Sequence, residues 1–485
     1  MPVTIDSVQF KPIQFGTDGW RGVIAADFTF ERVIQVAPLA AQVLAKHFAA
    51  TVEQQNLIIV GYDRRFLAEK FALAAAEAVQ AAGFDVLLAQ DYSPTPAISW
   101  AVHAQGALGG LVLTASHNPA PYLGLKVKGA FGGSVTQTIT QEIEDLLREE
   151  QTPTSATGTL NQFDPWASYC QELQSKVNIE PIREAIASGK LHVLADVMHG
   201  AAATGLQRLL GIEIEELNSN RDPLFDGGAP EPLPKYIPAL FRRIREAGTS
   251  QPHSLRLGFV FDGDSDRIAA VDAQGNFCSS QVLIPLLIEH LGQRKGFTGE
   301  IVKTVSGSDL IPRLAQLYNI PLYETPIGYK YIGERMLTHE VLIGGEESGG
   351  IGYGTHIPER DALLSALFVL EAVVESGKNI GELYHNLQEK TAFQFVYDRL
   401  DLPLPNMEVR QKLVDRLEQE TPTSVAGQTV LDCQTTDGYK FRLADSSWLL
   451  VRFSGTEPVL RLYCEAANYG VVKKILDWAK TWASQ

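Results

Sequence analysis

Apolar positions in the first third of the chain alternate between helical and strand periodicity. Residues 30–50 are amphipathic with helical spacing, and residues 70–82 repeat that pattern. Apolar runs too short for helices lie at 57–60, 86–89 and 111–113, and after residues 122–128 a helix is predicted to reach about residue 150. This alternation of the two periods is typical of an α/β layer.

The alternation continues through the middle of the chain. Strands are predicted at 191–196, 257–261, 300–304 and 341–344, and a helix at 361–376 with Asp361 as its N-cap. Residues 218–234 are crowded with Pro, Gly and Asp, which predicts one long loop. The repeated change from a strand to a polar turn indicates α/β units of similar construction, roughly a hundred residues each.

The pattern changes from about residue 393. Short strand-like runs follow one another at 430–432, 438–443, 448–453 and 459–464, and a helix is predicted at 471–483. Successive short strands without intervening helices favour an antiparallel sheet, so the C-terminal part is predicted to be an α+β domain.

Length sets the number of domains. The chain has 485 residues, which is more than one hydrophobic core usually supports and predicts roughly three or four domains of about 100 to 150 residues. The polar, Thr-rich segment 151–162 is the first predicted linker. We therefore expect an α/β protein of four domains, with similar α/β units of mixed sheets at 1–160, 161–270 and 271–390 and an α+β domain at 391–485.

Composition and net charge argue against some classes of binding partner. The formal net charge is −16, which argues against nucleic acid or an anionic membrane as the main partner. An anionic substrate must then be held by local basic groups. No uncharged apolar run approaches the roughly 20 residues that span a bilayer, residues 1–6 do not resemble a leader, and the four cysteines are far apart. We expect a cytoplasmic protein.

Candidate chemistry begins at Leu111-Val-Leu-Thr-Ala-Ser-His-Asn-Pro119, where an apolar run stops at small and polar residues. A buried strand would deliver the hydroxyl of Ser116 to the edge of a sheet, where open α/β sheets bind their ligands. His117 is not expected to act as its base, because adjacent residues on a strand point to opposite faces. An ordinary turn after a strand is the alternative interpretation of this stretch alone.

The strongest chemical signal is Asp262-Gly-Asp-Ser-Asp-Arg267, directly after a predicted strand. Three carboxylates at alternate positions can converge when the chain turns at Gly263, and hard oxygen ligands suit Mg²⁺ or Ca²⁺. A calcium-binding EF-hand is excluded because that loop needs Gly and Glu where this chain has Arg267 and Ala273. A phosphatase with Asp262 as nucleophile and a solvated acidic turn remain alternatives.

Three further clusters carry polar side chains beside glycines. Phe15-Gly-Thr-Asp-Gly-Trp-Arg-Gly22 offers the planar fork of Arg21 to a phosphate. Gly344-Gly-Glu-Glu-Ser-Gly-Gly350 offers Glu346 and Ser348 to sugar hydroxyls. Arg452-Phe-Ser-Gly-Thr-Glu-Pro458, with Arg461 beyond it, has the composition of an anion-binding loop. Each cluster alone is more typical of a turn, but their coexistence with the serine and the acids requires an explanation.

Taken together, these motifs resemble the α-D-phosphohexomutase superfamily, the phosphoglucomutases and phosphomannomutases, over essentially the whole chain. The resemblance rests on Thr114-Ala-Ser-His-Asn-Pro119, Asp262-Gly-Asp-Ser-Asp-Arg267, Gly345-Glu-Glu-Ser-Gly349 and Arg452-Phe-Ser-Gly-Thr-Glu-Pro458, in the family's order. It implies four domains around a central cleft, the last a mobile lid. It also implies an enzyme that interconverts a hexose 1-phosphate and its 6-phosphate through a phosphoserine and a bisphosphate intermediate.

The resemblance assigns roles residue by residue. Ser116 would be the phosphoserine and, with Asp262, Asp264 and Asp266, would hold Mg²⁺, while Arg21 and Lys126 would lie near the reacting phosphate and Lys126 would transfer protons. Glu346 and Ser348 would bind the sugar's 3- and 4-hydroxyls. Further substrate contacts are expected from Arg267, Thr325, Gly328 and Lys330, and contacts to the non-reacting phosphate from Arg452, Ser454, Gly455, Thr456 and Arg461. Glucose 1,6-bisphosphate would act as activator.

The chain departs from the family pattern at two places. Tyr122-Leu123-Gly124 stands where tyrosine-asparagine-glycine is common, and Gly350 stands where many bacterial members have a histidine. Glu-Glu-Ser at 346–348 is similar to the glucose-preferring members, so glucose phosphates are the expected substrates, with mannose possible. Easier escape of the bisphosphate would make the chain a glucose 1,6-bisphosphate synthase. A sugar-phosphate sensor without catalysis is the non-enzyme alternative, against which the intact serine and acids argue.

Overall fold

The computed structural model describes residues 12–16, 18–149, 157–454 and 458–484. The chain divides into two compact units. The first comprises Met1–Glu300 and Gly328–Leu383, and the second comprises Ile301–Ile327 and Tyr384–Gln485.

The N-terminal part of the first unit is a six-stranded mixed sheet with helices on both faces. Its elements are β1 (Trp20–Val23), α1 (Phe30–Phe48), β2 (Gln54–Tyr62), α2 (Ala68–Ala81), β3 (Asp85–Ala89), α3 (Thr95–Ala104), β4 (Ala107–Leu113), β5 (Tyr122–Gly129), α4 (Gln137–Leu146) and β6 (Leu160–Phe163). The strand order is β1-β5-β4-β2-β3-β6, with β2, β3, β4 and β6 parallel and β5 antiparallel to both neighbours.

Alternate residues of the central strands enter different cores. Ile58 and Val60 pack with α1 and α2, whereas Ile59 and Val112 pack on the opposite face with α3. Since side chains alternate across a strand, a continuous apolar run is what two covered faces require. This burial fixes β4, and with it the position at which the chain leaves the sheet before Ser116.

A second mixed sheet of the first unit follows. Its elements are α5 (Pro165–Lys176), α6 (Ile179–Ala187), β7 (Leu191–Asp196), α7 (Gly205–Leu210), β8 (Glu215–Leu217), α8 (Pro238–Ser250), β9 (Leu255–Phe261), β10 (Ile268–Val271) and β11 (Phe277–Cys278). The order is β11-β10-β9-β7-β8. Strands β7, β8 and β9 are parallel, whereas β9, β10 and β11 form antiparallel pairs, so that residues 262–267 are the turn of a β-hairpin.

The third α/β region contributes to both units. It contains α9 (Ser280–Ile288), β12 (Glu300–Thr304), α10 (Leu310–Tyr318), β13 (Leu322–Thr325), α11 (Tyr329–Met336), β14 (Val341–Gly345), β15 (Ile351–Tyr353), α12 (Ala362–Ser376) and α13 (Ile380–Thr391). In the first unit β14 and β15 form an antiparallel hairpin whose turn is residues 346–350. In the second unit β12 and β13 run parallel.

The C-terminal part of the second unit is an antiparallel sheet covered by helices. Its elements are β16 (Val396–Pro403), α14 (Met407–Gln419), β17 (Ser424–Val425), β18 (Gln428–Gln434), β19 (Tyr439–Leu443), β20 (Trp448–Phe453), β21 (Val459–Ala466) and α15 (Tyr469–Ala483). The order is β16-β21-β20-β19-β18-β17. Three mixed α/β regions followed by an antiparallel domain confirm the predicted fold class.

Several predicted elements need correction. Strand β4 ends at Leu113, as the apolar run 111–113 predicts, but Ser116 and His117 lie in the turn after it and not on the strand. The predicted linker 151–162 overlaps β6, which pairs with β3, while residues 151–156 lie outside the described residues. Among the elements that were not predicted are the edge strand β16, which carries charged residues and buries none of its residues fully, and helix α14, which buries only Leu413 and Leu417.

Helix α1 with the turn after it is long and apolar enough, by length and composition, to cross a membrane. Yet 44% of its most apolar window is buried inside the structure, and its inner face, including Val33, Val36 and Leu44, packs into the core of the first sheet. It is therefore explained as a core helix of the first α/β region.

A buried ion cluster fixes the beginning of α12 in the first unit. His356 lies between two carboxylates, with Nε2 3.4 Å from Asp361 Oδ2 and Nδ1 3.5 Å from Glu172 Oε1. Asp361 is also the N-cap of α12 and accepts a 2.8 Å hydrogen bond from the Tyr169 hydroxyl. Burial alone would lower the pKa of His356, but Asp361 and Glu172 outweigh that effect and raise it.

The raised pKa of His356 predicts a pH-dependent contribution to stability. Because the folded protein holds the proton more tightly, the contribution is fully present below the unfolded pKa of about 6.5 and is lost as pH rises through the raised folded pKa. His356→Gln should lower the free energy of unfolding by about 1.5–3 kcal/mol at pH 6 and by clearly less at pH 9, measured by denaturant titration. His385→Gln, at an exposed histidine 3.3 Å from Glu389, is the control. A loss equal at both pH values would contradict the assignment.

Candidate active site

The turn after β4 holds Ser116 in an unusual backbone conformation. Ser116 has φ of 50°, in the left-handed region that costs a residue with a side chain about 1–3 kcal/mol, and is 1% exposed. Its backbone N–H donates to Thr114 Oγ1 at 2.8 Å, and the Asn118 N–H donates to the carbonyl of Ala115 at 3.0 Å. The hydroxyl of Ser116 is thus aimed by a tightly bonded turn.

Arg65 holds this turn from behind. Its guanidinium donates to four main-chain carbonyls of the loop, at 2.6 Å to Ser116 and Asn118 and at 3.1 Å to Pro119 and Tyr122. Asp63 completes the support, because its Oδ2 accepts a 2.6 Å hydrogen bond from Thr114 Oγ1 and lies 3.4 Å from Arg65 Nε. Burial raises the pKa of Asp63 to about 6 although Arg65 and Thr114 oppose the shift. The pair fixes the conformation of the serine loop.

The acidic motif forms the turn of the β9–β10 hairpin. Phe261 and Ile268 are cross-strand partners, and between them ligand oxygens of Asp262, Asp264 and Asp266 lie within 4.8 Å of one another, all three side chains fully buried. Gly263 allows this turn to touch the serine loop, since a Cβ there would lie 2.4 Å from the carbonyl oxygen of Ser116. Ser116 Oγ in turn donates to Asp262 Oδ2 at 2.8 Å.

Two buried cations offset this negative charge. Lys126 Nζ lies 2.8 Å from carboxylate oxygens of Asp18, Asp264 and Asp266, and Arg360 Nη2 donates to Asp18 at 2.7 Å and to Asp266 at 2.6 Å. Burial alone would lower the pKa of Lys126, but the three carboxylates outweigh it and raise it well above its ordinary value. Burial and the charges of its two neighbours raise the pKa of Asp262.

The cluster has the donors that a divalent cation needs. Oδ1 of Asp264 and Oδ1 of Asp266 are buried, and no hydrogen-bond partner for them exists among the described residues. Unpartnered buried carboxylate oxygens are costly, whereas hard oxygen ligands in this number suit Mg²⁺. The residues present therefore fit the predicted metal site, with Thr95 Oγ1 fixing Asp264 through a 2.6 Å hydrogen bond.

The surroundings of the serine hydroxyl correct the expectation for His117. Residues 114–121 are not part of a strand, so alternation does not turn His117 away, and its Nδ1 lies 3.3 Å from Ser116 Oγ. Burial, followed by the charges of Arg267, Arg21, Arg65 and Lys126, lowers the pKa of His117 well below its ordinary value. The imidazole is therefore neutral and able to accept a hydrogen bond.

Other predicted residues of the first unit lie around the two hairpins. Arg21 Nη1 donates to Asn118 Oδ1 at 2.5 Å, so it lies on the serine loop. The turn 346–350, the predicted sugar loop, contacts the acidic hairpin. The N–H of Ile268, next to Arg267, donates a hydrogen bond to the Gly349 carbonyl at 3.0 Å. Glu346 is buried, which raises its pKa although Arg360 and Arg267 oppose this. Ser348 and Lys330 are half-buried, and Gly328, with φ of 135°, precedes α11.

The second unit holds the remaining predicted residues. Arg452 on β20 and Arg461 on β21 are cross-strand partners, an arrangement of like charges that is unfavourable unless an anion lies near. Asp437 Oδ2 accepts hydrogen bonds of 3.0 Å from Arg452 Nε and from the N–H of Ile327, two residues after Thr325. The N–H of Ser454 donates to the Val459 carbonyl. The predicted Gly455 and Thr456 lie outside the described residues.

Five residues of this arrangement were not predicted: Asp18, Asp63, Arg65, Thr95 and Arg360. Asp18 belongs to the quoted glycine cluster, where an acid beside Arg21 was an available signal. The other four belong to no motif that we had recognised, and their importance follows from contacts with residues distant in the sequence.

Comparison with known protein families finds matches over nearly the whole chain. Models of phosphoglucomutase/phosphomannomutase domains match in order, with alpha/beta/alpha domain I at residues 12–154, domain II at 167–275, domain III at 279–391 and the C-terminal domain at 406–478.

Whole proteins match as well. The chain is 31% identical to the phosphoglucosamine/phosphogalactosamine mutase of Sulfurisphaera tokodaii, over 96% of this chain and 98% of the relative. It is 27% identical to the phosphoglucomutase/phosphomannomutase of Thermococcus kodakarensis, over 96% of each chain. A crystal structure from Thermus thermophilus with a provisional phosphomannomutase name superimposes with a TM-score of 0.83 and 33% identity, covering 98% of this chain and all of that one.

The role of Arg65 predicts a change in local protection. In Arg65→Lys a single ammonium has to replace a fork that reaches four carbonyls, and each lost hydrogen bond costs about 1 kcal/mol. Amides of residues 114–122 should therefore exchange hydrogen roughly tenfold faster or more, measured by mass spectrometry. Arg64→Lys is the matched control, because Arg64 donates instead to the Ser219 carbonyl. Equal exchange in the two variants would contradict the assigned role.

Proposed function

Because the chain belongs to the α-D-phosphohexomutase superfamily and is an intramolecular phosphotransferase, we propose that it interconverts a hexose 1-phosphate and the hexose 6-phosphate through a phosphoserine at Ser116. One observation carries this proposal. The Ser116 hydroxyl is buried and 2.8 Å from Asp262, in a cluster whose acids and cations suit a phosphoryl group with its metal ion.

The proposed reaction moves one phosphoryl group at a time. A sugar hydroxyl attacks the phosphorus of phosphoserine 116, the bond from phosphorus to Ser116 Oγ breaks, and the proton of the attacking hydroxyl leaves to a base. The bisphosphate then reorients and returns its other phosphoryl group to Ser116, which loses its proton in turn. No atoms are gained or lost over the cycle.

The residues of the cluster have separate tasks in this proposal. Asp262, Asp264 and Asp266 would hold Mg²⁺, which when bound neutralises charge on the transferring group. Lys126, whose pKa is raised by the carboxylates around it, remains an ammonium that can donate hydrogen bonds to phosphoryl oxygens, and the raised pKa argues against the proton transfer that the resemblance assigns to it. Two acceptors lie within reach of the serine hydroxyl, Asp262 Oδ2 at 2.8 Å and the neutral His117 Nδ1 at 3.3 Å.

Binding of the sugar is assigned to the remaining predicted residues. We propose that Glu346 and Ser348 form hydrogen bonds with two sugar hydroxyls, and that Arg267, Thr325, Gly328 and Lys330 make further contacts with the substrate. The cross-strand pair Arg452 and Arg461, with Ser454, Gly455 and Thr456, would bind the phosphate that does not react. Such a chain is expected to work in the cytoplasm, on small sugar phosphates.

The identity of the sugar has two candidates. Glu-Glu-Ser at 346–348 supports glucose phosphates, with glucose 1,6-bisphosphate as activator or, if it escapes, as product. The name of the Sulfurisphaera tokodaii relative supports glucosamine phosphate instead. Both sugars have the same configuration at the 3- and 4-hydroxyls, so Glu346 and Ser348 suit either of them.

Activity of Ser116→Ala tests the proposal. Loss of the nucleophile should lower turnover roughly a thousandfold or more, and intact-mass analysis should find phosphate on the wild type but not on the variant. Ser93→Ala is the control, since its buried hydroxyl has no partner among the described residues. Initial rates should be measured on glucose, glucosamine and mannose 1-phosphates, with and without glucose 1,6-bisphosphate.

The outcomes separate the candidate functions. We expect glucose 1-phosphate to react fastest, whereas faster reaction of glucosamine 1-phosphate would select the second candidate. Accumulation of free bisphosphate would indicate a bisphosphate synthase. Full activity of Ser116→Ala together with an inactive Asp262→Asn would contradict the phosphoserine and favour an aspartyl phosphatase.

A further inference from the structure

Gly350 is the last residue of the turn 346–350, and the side chain of Arg360 occupies the space that a side chain at this position would need. A Cβ at this position would lie 2.3 Å from Cδ and 3.0 Å from Cγ of Arg360, and 3.2 Å from Glu346 Oε2. Real Cβ contacts below 3.0 Å essentially do not occur, so something would have to move. Gly350 is therefore required here by space, because the stem of Arg360 lies directly against its backbone.

The backbone around Arg360 is fixed from both sides. The N–H of Asp361 donates to the Ile351 carbonyl at 2.9 Å, which aligns the segment before α12 with the residue after Gly350. Glu359 forms an ion pair with the buried Lys128. Arg360 consequently enters the cluster from a rigid segment, and its side chain is 5% exposed.

The guanidinium of Arg360 lies between the acidic hairpin and the sugar loop. Nη2 donates to Asp266 at 2.6 Å and to Asp18 at 2.7 Å, while Nη1 is 3.5 Å from Glu346 Oε2. Its carbon Cζ is 5.4 Å from the ring centre of Tyr329. The contact with Glu346 is too long for a hydrogen bond, so Arg360 attracts this carboxylate without using its acceptor capacity.

We propose that Arg360, whose side chain fills the space beside Gly350, fixes the position of Glu346, which binds the sugar, relative to Asp266 at the metal site. This inference rests on the proposed function. Arg360 is a positioning residue, because it reaches the sugar and the metal through Glu346 and Asp266. The smallest side chain at 350 would push Arg360 away, and Glu346 would lose its fixed neighbour. The planar fork is needed because one group has to reach carboxylates of three segments.

A double-mutant cycle tests the pair. Gly350→Ala should raise the KM for the preferred hexose 1-phosphate at least tenfold with kcat changed less than threefold. Arg360→Lys should raise KM similarly, because an ammonium keeps the charge without the fork. In the Arg360→Ala background, where the overlapping stem is absent, adding Gly350→Ala should change KM by less than twofold.

A matched pair far from the acids gives the control. A Cβ on Gly248 would lie 2.6 Å from Arg256 Nη1, the free end of a side chain that can move aside, so Gly248→Ala and Arg256→Ala should both leave KM unchanged. The proposal is overturned if Gly350→Ala leaves KM unaltered, or if it raises KM equally with and without Arg360.

Two further readouts keep the test independent of folding and of the proposed function. If Arg360→Ala does not fold, Gly350→Ala and Arg360→Lys are compared with Gly248→Ala, and equal KM values in all three overturn the proposal. If the wild type converts no hexose phosphate, the proposed function has failed. The pair is then judged by the thermal midpoints of the cycle, where additive effects of Gly350→Ala and Arg360→Ala would refute their contact.

Discussion

Burial of negative charge is the constraint on which the site depends. Asp262, Asp264 and Asp266 are fully buried, and Asp18 joins them through shared cations. Removing a carboxylate from water costs several kcal/mol, so such a group persists only when it is paired. Lys126 and Arg360 provide this pairing for Asp18, Asp264 and Asp266. Asp262 instead accepts hydrogen bonds from the Ser116 hydroxyl and from the N–H groups of Asp266 and Arg267. The unpartnered oxygens of Asp264 and Asp266 are where a divalent cation would complete the balance.

The same constraint explains why distant segments of the first unit meet here. Lys126 comes from β5, the acids from the β9–β10 hairpin and Arg360 from the segment before α12. These segments can approach one another closely because Gly263 and Gly350 have no side chain. A buried cluster that needs both hairpins in place also holds Ser116, whose left-handed backbone is supported by Arg65 and Thr114. The packing of these segments against one another therefore provides both positioning and charge neutralisation, the main demands of phosphoryl transfer.

The periodicity of apolar residues predicted the fold class and the central strands, because both faces of these strands are buried and their patterns are strong. Prediction failed for elements with little burial, such as β16 and α14, and also for helices buried on nearly all sides, such as α3 and α9, because these have no clear amphipathic period. Motifs also indicated the serine, the acids and the sugar loop. Arg65 and Arg360 could not be found in this way, since a charged residue in sequence resembles any surface residue. Their role comes from contacts such as that of Arg360 with Asp18, 342 residues apart. The left-handed backbone of Ser116 could not be predicted from the sequence either, because serine does not favour this conformation.

Binding of Mg²⁺ measured by isothermal titration calorimetry tests most directly whether this cluster is a charge-balanced metal site. We expect one site per chain in the wild type, and affinity at least tenfold weaker in Asp264→Asn, which removes one of the charged ligands. Asp272→Asn should bind like the wild type, because Asp272 holds the turn between β10 and β11 through hydrogen bonds to Gln274 and Asn276. Absence of binding to the wild type, or equal affinity in Asp264→Asn, would contradict the assignment.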